Sequence, residues 1–297
     1  MLAVVLTTNT LDLRHTLGVL QQGRHDPTTR VDRQELWRAT RTPLGPGTLH
    51  LWWEGSTLRH EAWGPGADWL VDGIARLVGD DDQLFDLPVP HEVVARALAA
   101  VPGLRIGRCD TMLHALVPTI LAQRVTSIEA VRAWRALCGR LSQAAPGPGG
   151  LRLPPDPDTL AELPSWWFHP LGVERKRGET VIRCARRARA LEQLTTVEPT
   201  VAAAGLGGIR GVGTWTVASV LGPVLGDADA VPVGDFHIPH SVCWALAGEP
   251  RGSDERMLEL LAPYAGQRGR VIRALGLAGW HAPRRGSRRR IQPIARW

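Results

Sequence analysis

Residues 206–222 read LGGIRGVGTWTVASVLG, a stretch suited to backbone anion chemistry. Gly211-Val212-Gly213 stands before a helix expected to begin near Trp215. Glycines admit positive φ and close approach of another backbone. The first amides of a helix point outward without intrahelical partners and carry the positive end of its dipole. Such a loop can hold a phosphate. Taken alone, the same residues fit a plain helix–helix turn, where glycines are common. Asp235 follows Trp215 by 20 residues and precedes FHIPHSVCWAL. Aspartate is a favoured N-cap, so its position alone supports capping of that helix, with Pro239 in the first turn. Asp227 and Asp229 read as loop or capping residues. Lys176 is the only lysine, and it lies in an arginine-rich stretch well before the hairpin.

The elements that must position these residues fall into two kinds. In residues 1–88, LDLRHTLGVLQQ has leucines at helical spacing. ELWRATRT, GTLHLWWEG and STLRHEAWG are short, partly alternating segments separated by the turn signals PLGPG and EGS, as in an antiparallel meander. ADWLVDGIARLVG follows as one amphipathic helix. The acidic DDDQLFDLPVP marks a boundary. From residue 89 the pattern is helical: HEVVARALAAVPG, CDTMLHALVPTILAQRV, SIEAVRAWRALCGRLSQ and ERKRGETVIRCARRARALEQL each predict one helix. AAPGPGGLRLPPDPD is a Pro/Gly loop leading to a short helix capped by Asp156 or Asp158. We therefore expect a mainly α protein with an N-terminal α+β unit: 1–88 an antiparallel sheet with helices, 89–283 all α, and 284–297 a basic arm.

Composition excludes several classes. A length of 297 residues suffices for two cored domains, and 44% hydrophobic with 22% charged residues is ordinary for a globular chain. No apolar run of about 18 residues appears, so no membrane span is expected. The apolar start has no basic segment before it, which predicts no secretory signal and a cytoplasmic protein. Cys109, Cys138, Cys184 and Cys243 are far apart, which argues against zinc, an iron–sulfur cluster or a disulfide framework. The net charge of +6 is uneven: residues 1–88 hold 8 basic and 12 acidic groups, 89–283 hold 21 and 17, and 284–297 hold six arginines and no acid. A polyanion would meet the second unit and the tail rather than the first.

IRGVGTWTVASVLGPVLGDADAVPVGDFHIPHSV resembles the signature of the helix-hairpin-helix DNA glycosylases. The wider chain is most similar to the bacterial 3-methyladenine DNA glycosylase II group. LVPTILAQRVTSIEAV resembles that group's helix–loop segment with its glutamine, here Gln123. LELLAPYAGQRGRVIRAL resembles its closing helix, and the N-terminal likeness is one of element order. The resemblance implies a two-lobed all-α catalytic unit behind a sheet-and-helix domain. It implies that Arg210, Gly211, Val212, Gly213 and Thr214 meet DNA phosphates, with Na+ or K+ on the backbone carbonyls of Arg210 and Val212. No other cofactor is implied.

By the same resemblance Asp235 is the catalytic carboxylate, Trp215, Ser219 and Gln123 line the base pocket, and Arg124 fills the gap left by a flipped base. Such an enzyme must extrude the nucleotide. Asp235 would stabilise the oxocarbenium character that develops at C1′, or orient water. With Thr214-Trp215-Thr216 where relatives that cut the strand carry a lysine, a monofunctional enzyme leaving an abasic site is expected. Its partner would be damaged duplex DNA, met as a monomer at the nucleoid. Two departures bear on the pocket: Gly276 stands where the group has an aromatic, and Ser219 where it has a tyrosine. A glycosylase for another lesion such as an oxidised purine, and a DNA-damage-binding protein without catalysis, are the alternatives.

Overall fold

The computed structural model describes residues 3–4, 11–82 and 90–283. The arm 284–297 and most of the DDDQLFDLPVP boundary lie outside the described residues. Five strands, β1 (Ala3–Val4), β2 (Thr29–Val31), β3 (Glu35–Thr42), β4 (Gly45–Glu54) and β5 (Thr57–Trp63), form an antiparallel sheet in the order β1-β5-β4-β3-β2. The three expected strands are β3, β4 and β5. The short β1 and β2 were not expected, because two or three residues carry no readable alternation.

Fourteen α-helices occur among the described residues: α1 (Leu13–Leu17), α2 (Ala67–Asp72), α3 (Ile74–Leu77), α4 (Glu92–Ala100), α5 (Met112–Leu121), α6 (Ser127–Leu141), α7 (Pro157–Glu162), α8 (Arg175–Ala185), α9 (Ala188–Gln193), α10 (Pro199–Gly207), α11 (Thr214–Leu225), α12 (Ile238–Ala247), α13 (Asp254–Leu261) and α14 (Arg268–Leu277). None is long and apolar enough to cross a membrane.

Three expected single helices are broken. ADWLVDGIARLVG stops at Gly73, whose amide caps α2 by bonding back to Trp69. ERKRGETVIRCARRARALEQL restarts at Ala188 without a Gly or Pro at the break. The new direction lets Glu192 of α9 accept from the Met112 and Leu113 amides (2.9 and 2.8 Å) and so cap α5 from outside. LELLAPYAGQRGRVIRAL divides into α13 and α14 around Pro263 and Gly266, the latter at φ 86°. At α7 the cap is Asp156. At α6, Thr126 and Glu129 close a reciprocal capping box.

Two main cores hold these elements, and a small third cluster joins Ala39 of β3 to Leu151 and Leu153 of the Pro/Gly loop. The larger joins Leu36, Leu49, Leu51 and Leu58 of the sheet to Met112, Leu116, Trp134, Val181, Val220 and Val224, so apolar packing runs past the expected boundary near residue 88. The smaller joins Val93, Val94 and Ala97 of α4 to Val242, Met257, Leu261 and Val271 of α12–α14. The chain visits the second core first at α4, returns to the first core with α5, and passes to the second again through residues 226–237, the crossing on which Asp235 sits.

A buried polar network fastens sheet to helices. Arg38 of β3 and His114 of α5 are both buried, and an Arg38 Nη2–H donates to His114 Nδ1 at 3.1 Å. Since arginine only donates, Nδ1 accepts and the ring proton lies on Nε2, facing the Thr28 hydroxyl at 3.1 Å. Thr28 and the Trp134 indole both donate to Asp26. Burial first, and the Arg38 charge second, hold His114 well below its ordinary pKa of 6.5. The outer sheet face carries Trp37, stacked on His50 at 3.8 Å, and is covered by the Pro/Gly loop. A Cβ on Gly149 would lie 2.5 Å from the Trp37 ring.

Candidate active site

The hairpin joins α10 to α11. Ile209 and Val212 are buried and anchor the loop, with the Val212 amide donating to the Ile209 carbonyl at 2.9 Å. Gly211 has φ 99°, and a Cβ there would fall 2.2 Å from the Thr180 hydroxyl of α8, so both conformation and space demand glycine. Gly213 is the N-cap of α11 without a side-chain cap, and nothing lies within 4 Å of where its Cβ would be. The first amides of α11 thus open on an exposed surface, as phosphate binding requires.

Two side chains bond to this loop, and a third ties together the elements behind it. The Gln123 amide nitrogen donates to the Gly211 carbonyl (2.9 Å) and to the Thr216 hydroxyl (2.8 Å). Gln123, expected in the pocket, is therefore fastened to the hairpin. Arg183 of α8 donates to the Arg210 carbonyl at 2.5 Å. Arg177, buried, donates to the Leu121 carbonyl (2.7 Å) and the Gly172 carbonyl (3.3 Å), tying the end of α5 to the start of α8. Neither arginine was singled out from the sequence, because an arginine-rich helix shows its charges but not which of them turn inward. Arg124 follows Gln123 in the left-handed region at φ 56° and is exposed. A non-glycine residue held there is strained, and such strain gathers at functional loops.

Trp215 and Asp235 meet. The indole Nε1–H donates to Asp235 Oδ2 at 2.9 Å, while Oδ1 accepts from the amides of His237 (2.7 Å) and Ile238 (2.9 Å) at the start of α12. The capping geometry and the juxtaposition with Trp215 coexist in one carboxylate. The turn before it needs Gly234 at φ 92°, whose amide donates to Asp254 at 3.0 Å. Pro239 lies in the first turn of α12. Asp229 pairs with Arg268 instead, and the Asp227 carboxylate accepts from the Asp229 amide. Both belong to the crossing loop. Ser219 lies one turn after Trp215 and is half-buried. Thr214 lies at the mouth of the helix, its hydroxyl 3.5 Å from the Val233 carbonyl.

Gly276 is exposed with open space around it. Phe236, next to Asp235, was not anticipated: it is 74% exposed and meets His237 and His240 edge-on. Its place beside Asp235 in the sequence could have drawn attention to it. Lys176 is exposed on α8. The four cysteines are free and buried, and burial pushes the Cys184 thiol up to about 12. A cavity of about 40 Å³, bordered by Arg41, His114, Trp134 and Glu192, has room for water only, and neither Trp215 nor Asp235 lines it.

The Arg210 carbonyl, one of the two oxygens that the resemblance implies as ion ligands, already accepts from the Arg183 guanidinium, so an ion there would sit against a fixed positive charge.

No protein-family model matches the chain, and no curated protein sequence matches it. Solved structures do. A 3-methyladenine DNA glycosylase from Archaeoglobus fulgidus superposes with a TM-score of 0.78 at 17% identity, covering 93% of this chain and 97% of the other. A Clostridium acetobutylicum 8-oxoguanine glycosylase/lyase, solved with duplex DNA containing cytosine opposite 8-oxoG, superposes with a TM-score of 0.70 at 12% identity, covering 93% and 96%. The Schizosaccharomyces pombe 3-methyladenine DNA glycosylase Mag1, solved with abasic DNA, gives 0.52 at 17% identity, covering 64% and 92%. At these identities the likeness is one of architecture: this chain has the fold of the helix-hairpin-helix DNA glycosylases.

Proposed function

We propose that this protein is a monofunctional DNA glycosylase that hydrolyses the N-glycosidic bond of alkylated purines in duplex DNA and leaves an abasic site. The observation that carries the reading is the contact between the Trp215 indole and the Asp235 carboxylate, at the foot of a phosphate-ready hairpin.

The hairpin amides grip a backbone phosphate without reading sequence, since phosphate contacts carry no base information. Arg124, on its strained turn, enters the space vacated in the duplex. The extruded base stacks beside Trp215, and the exposed ring of Phe236 adds a second aromatic face. Asp235 is held by three donors, so its charge is already placed when positive charge develops at C1′ and no reorganisation is needed at the moment of reaction. A methylated purine carries positive charge and leaves without a general acid, so one carboxylate suffices. The hairpin helix opens with Thr214-Trp215-Thr216 and offers no amine for a Schiff base. The enzyme acts as a monomer on damaged DNA, with the basic arm 284–297 adding nonspecific affinity.

The test incubates the protein with duplexes carrying 3-methyladenine, 7-methylguanine or 8-oxoguanine. Release of methylated purine is expected, with strand breaks appearing only after alkali. Breaks without alkali would overturn monofunctionality. Release of 8-oxoguanine alone would move the substrate to oxidised purines. Binding of these duplexes without release of any base would make the protein a damage-binding module.

A further inference from the structure

Arg183 and Thr180 both face the hairpin from α8. Thr180 fills the space beside Gly211, and Arg183 donates to the Arg210 carbonyl at 2.5 Å. The neighbouring carbonyls are engaged too: Ile209 accepts from the Val212 amide at 2.9 Å, and Gly211 from Gln123 at 2.9 Å. A hard cation needs several oxygens turned toward one point. Here three successive carbonyls are each directed at a protein donor, and one of those donors carries a permanent charge. The local field is positive. The Glu179 carboxyl is held below its usual range, first by its hydrogen bond with Arg175 and further by the charges of Arg175, Arg183 and Arg210.

We propose that the Arg183 guanidinium is the hairpin's own fixed cation: it holds the Arg210 carbonyl inward and supplies the positive charge that a monovalent ion would otherwise bring, so duplex binding does not depend on which monovalent cation is in solution. The proposal rests on the glycosylase reading above. It makes Arg183 a positioning residue, not a catalytic one. Its charge adds to phosphate attraction at the hairpin, and its bond fixes the loop that presents the α11 amides.

The test measures fluorescence anisotropy on a duplex with a tetrahydrofuran abasic-site analogue, in sodium, potassium or tetramethylammonium chloride at equal ionic strength. Wild-type Kd should agree across the three within about twofold. Arg183→Met should weaken binding about tenfold in every salt, the scale of one charge-assisted contact. Arg183→Lys keeps the charge but loses the planar donor pair, so it should recover part of the loss, and it serves as the decisive variant if Arg183→Met fails to fold. A wild-type Kd at least about fivefold worse in tetramethylammonium would show that the hairpin recruits an ion, and would overturn the proposal. So would Arg183→Met binding like wild type. If the wild-type protein binds no duplex in any salt, the glycosylase reading itself fails and the proposal falls with it.

Discussion

The indole nitrogen of Trp215 lies 2.9 Å from Oδ2 of Asp235, across the 20 residues that separate the hairpin helix from the crossing into the second core. The bond fixes the aromatic face relative to the carboxylate. It also changes what a mutation at either position means.

Asp235→Asn keeps one oxygen for the His237 and Ile238 amides, but its NH2 then faces the Trp215 N–H, donor against donor. The variant thus loses the charge and loosens the indole together. Single-turnover release of methylated purine should fall about 10²–10³-fold, the usual cost of one well-placed electrostatic group. Trp215→Phe keeps an aromatic ring but removes the donor together with part of the indole's stacking face, and should cost about tenfold. An Asp235→Asn enzyme as fast as wild type would reduce Asp235 to a helix cap.

Gly213 offers a cleaner test of the phosphate anchor. Its φ of −97° suits any residue, and no atom blocks a Cβ. Gly213→Asp should maintain or raise the melting temperature, because aspartate is a good N-cap and opposes the helix dipole favourably. The same carboxylate would repel phosphate, so affinity should fall by about tenfold or more for damaged and undamaged duplexes alike. Unchanged affinity with unchanged stability would mean that DNA does not touch this turn.

Phe236 is 74% exposed and contributes little burial, so Phe236→Ala should leave thermal stability nearly unaltered. If its ring stacks on the extruded base, KM for methylated DNA should rise about tenfold, since stacking on a base is worth roughly 1–3 kcal/mol. Unaltered kinetics would remove Phe236 from the pocket.

His114 predicts an acid-sensitive fold. The buried ring, beside Arg38, stays neutral in the native state, whereas the unfolded chain takes up a proton near pH 6.5. Below that pH the unfolded state binds more protons, so stability falls as pH drops, by up to about 1.4 kcal/mol per pH unit for this group. His60, whose pKa is also lowered, first by burial, adds in the same direction. His114→Gln should be less stable at pH 7.5, yet show a flatter decline between pH 6.5 and 5 in chemical denaturation. Equal slopes would place the acid sensitivity elsewhere.

Much of this architecture was legible from residues alone, for reasons specific to each place. ELWRATRT became β3 residue for residue, because alternation and flanking turns are local signals. Gly211 allowed in advance a tight turn with close backbone approach, and the run FHIPHSVCWAL marked a helix just after Asp235, which the structure begins at Ile238. What stayed hidden were relationships between distant residues. Helix breaks at Ala185 and Leu261 depend on what the next turn can bond to or pack against, and local periodicity is silent on both. The family resemblance puts Gln123 at the pocket, and the tertiary structure shows in addition that its amide bonds to the hairpin carbonyl of Gly211, 88 residues away. Arg183, in a helix of many arginines, looks like one more solvated charge. Packing of α8 against the loop turns that one guanidinium onto a carbonyl. Spacing along the chain states which chemistry is available. Only the close packing of α5, α8 and the hairpin decides which donor reaches which acceptor, because a hydrogen bond depends on tenths of an ångström that sequence separation does not encode.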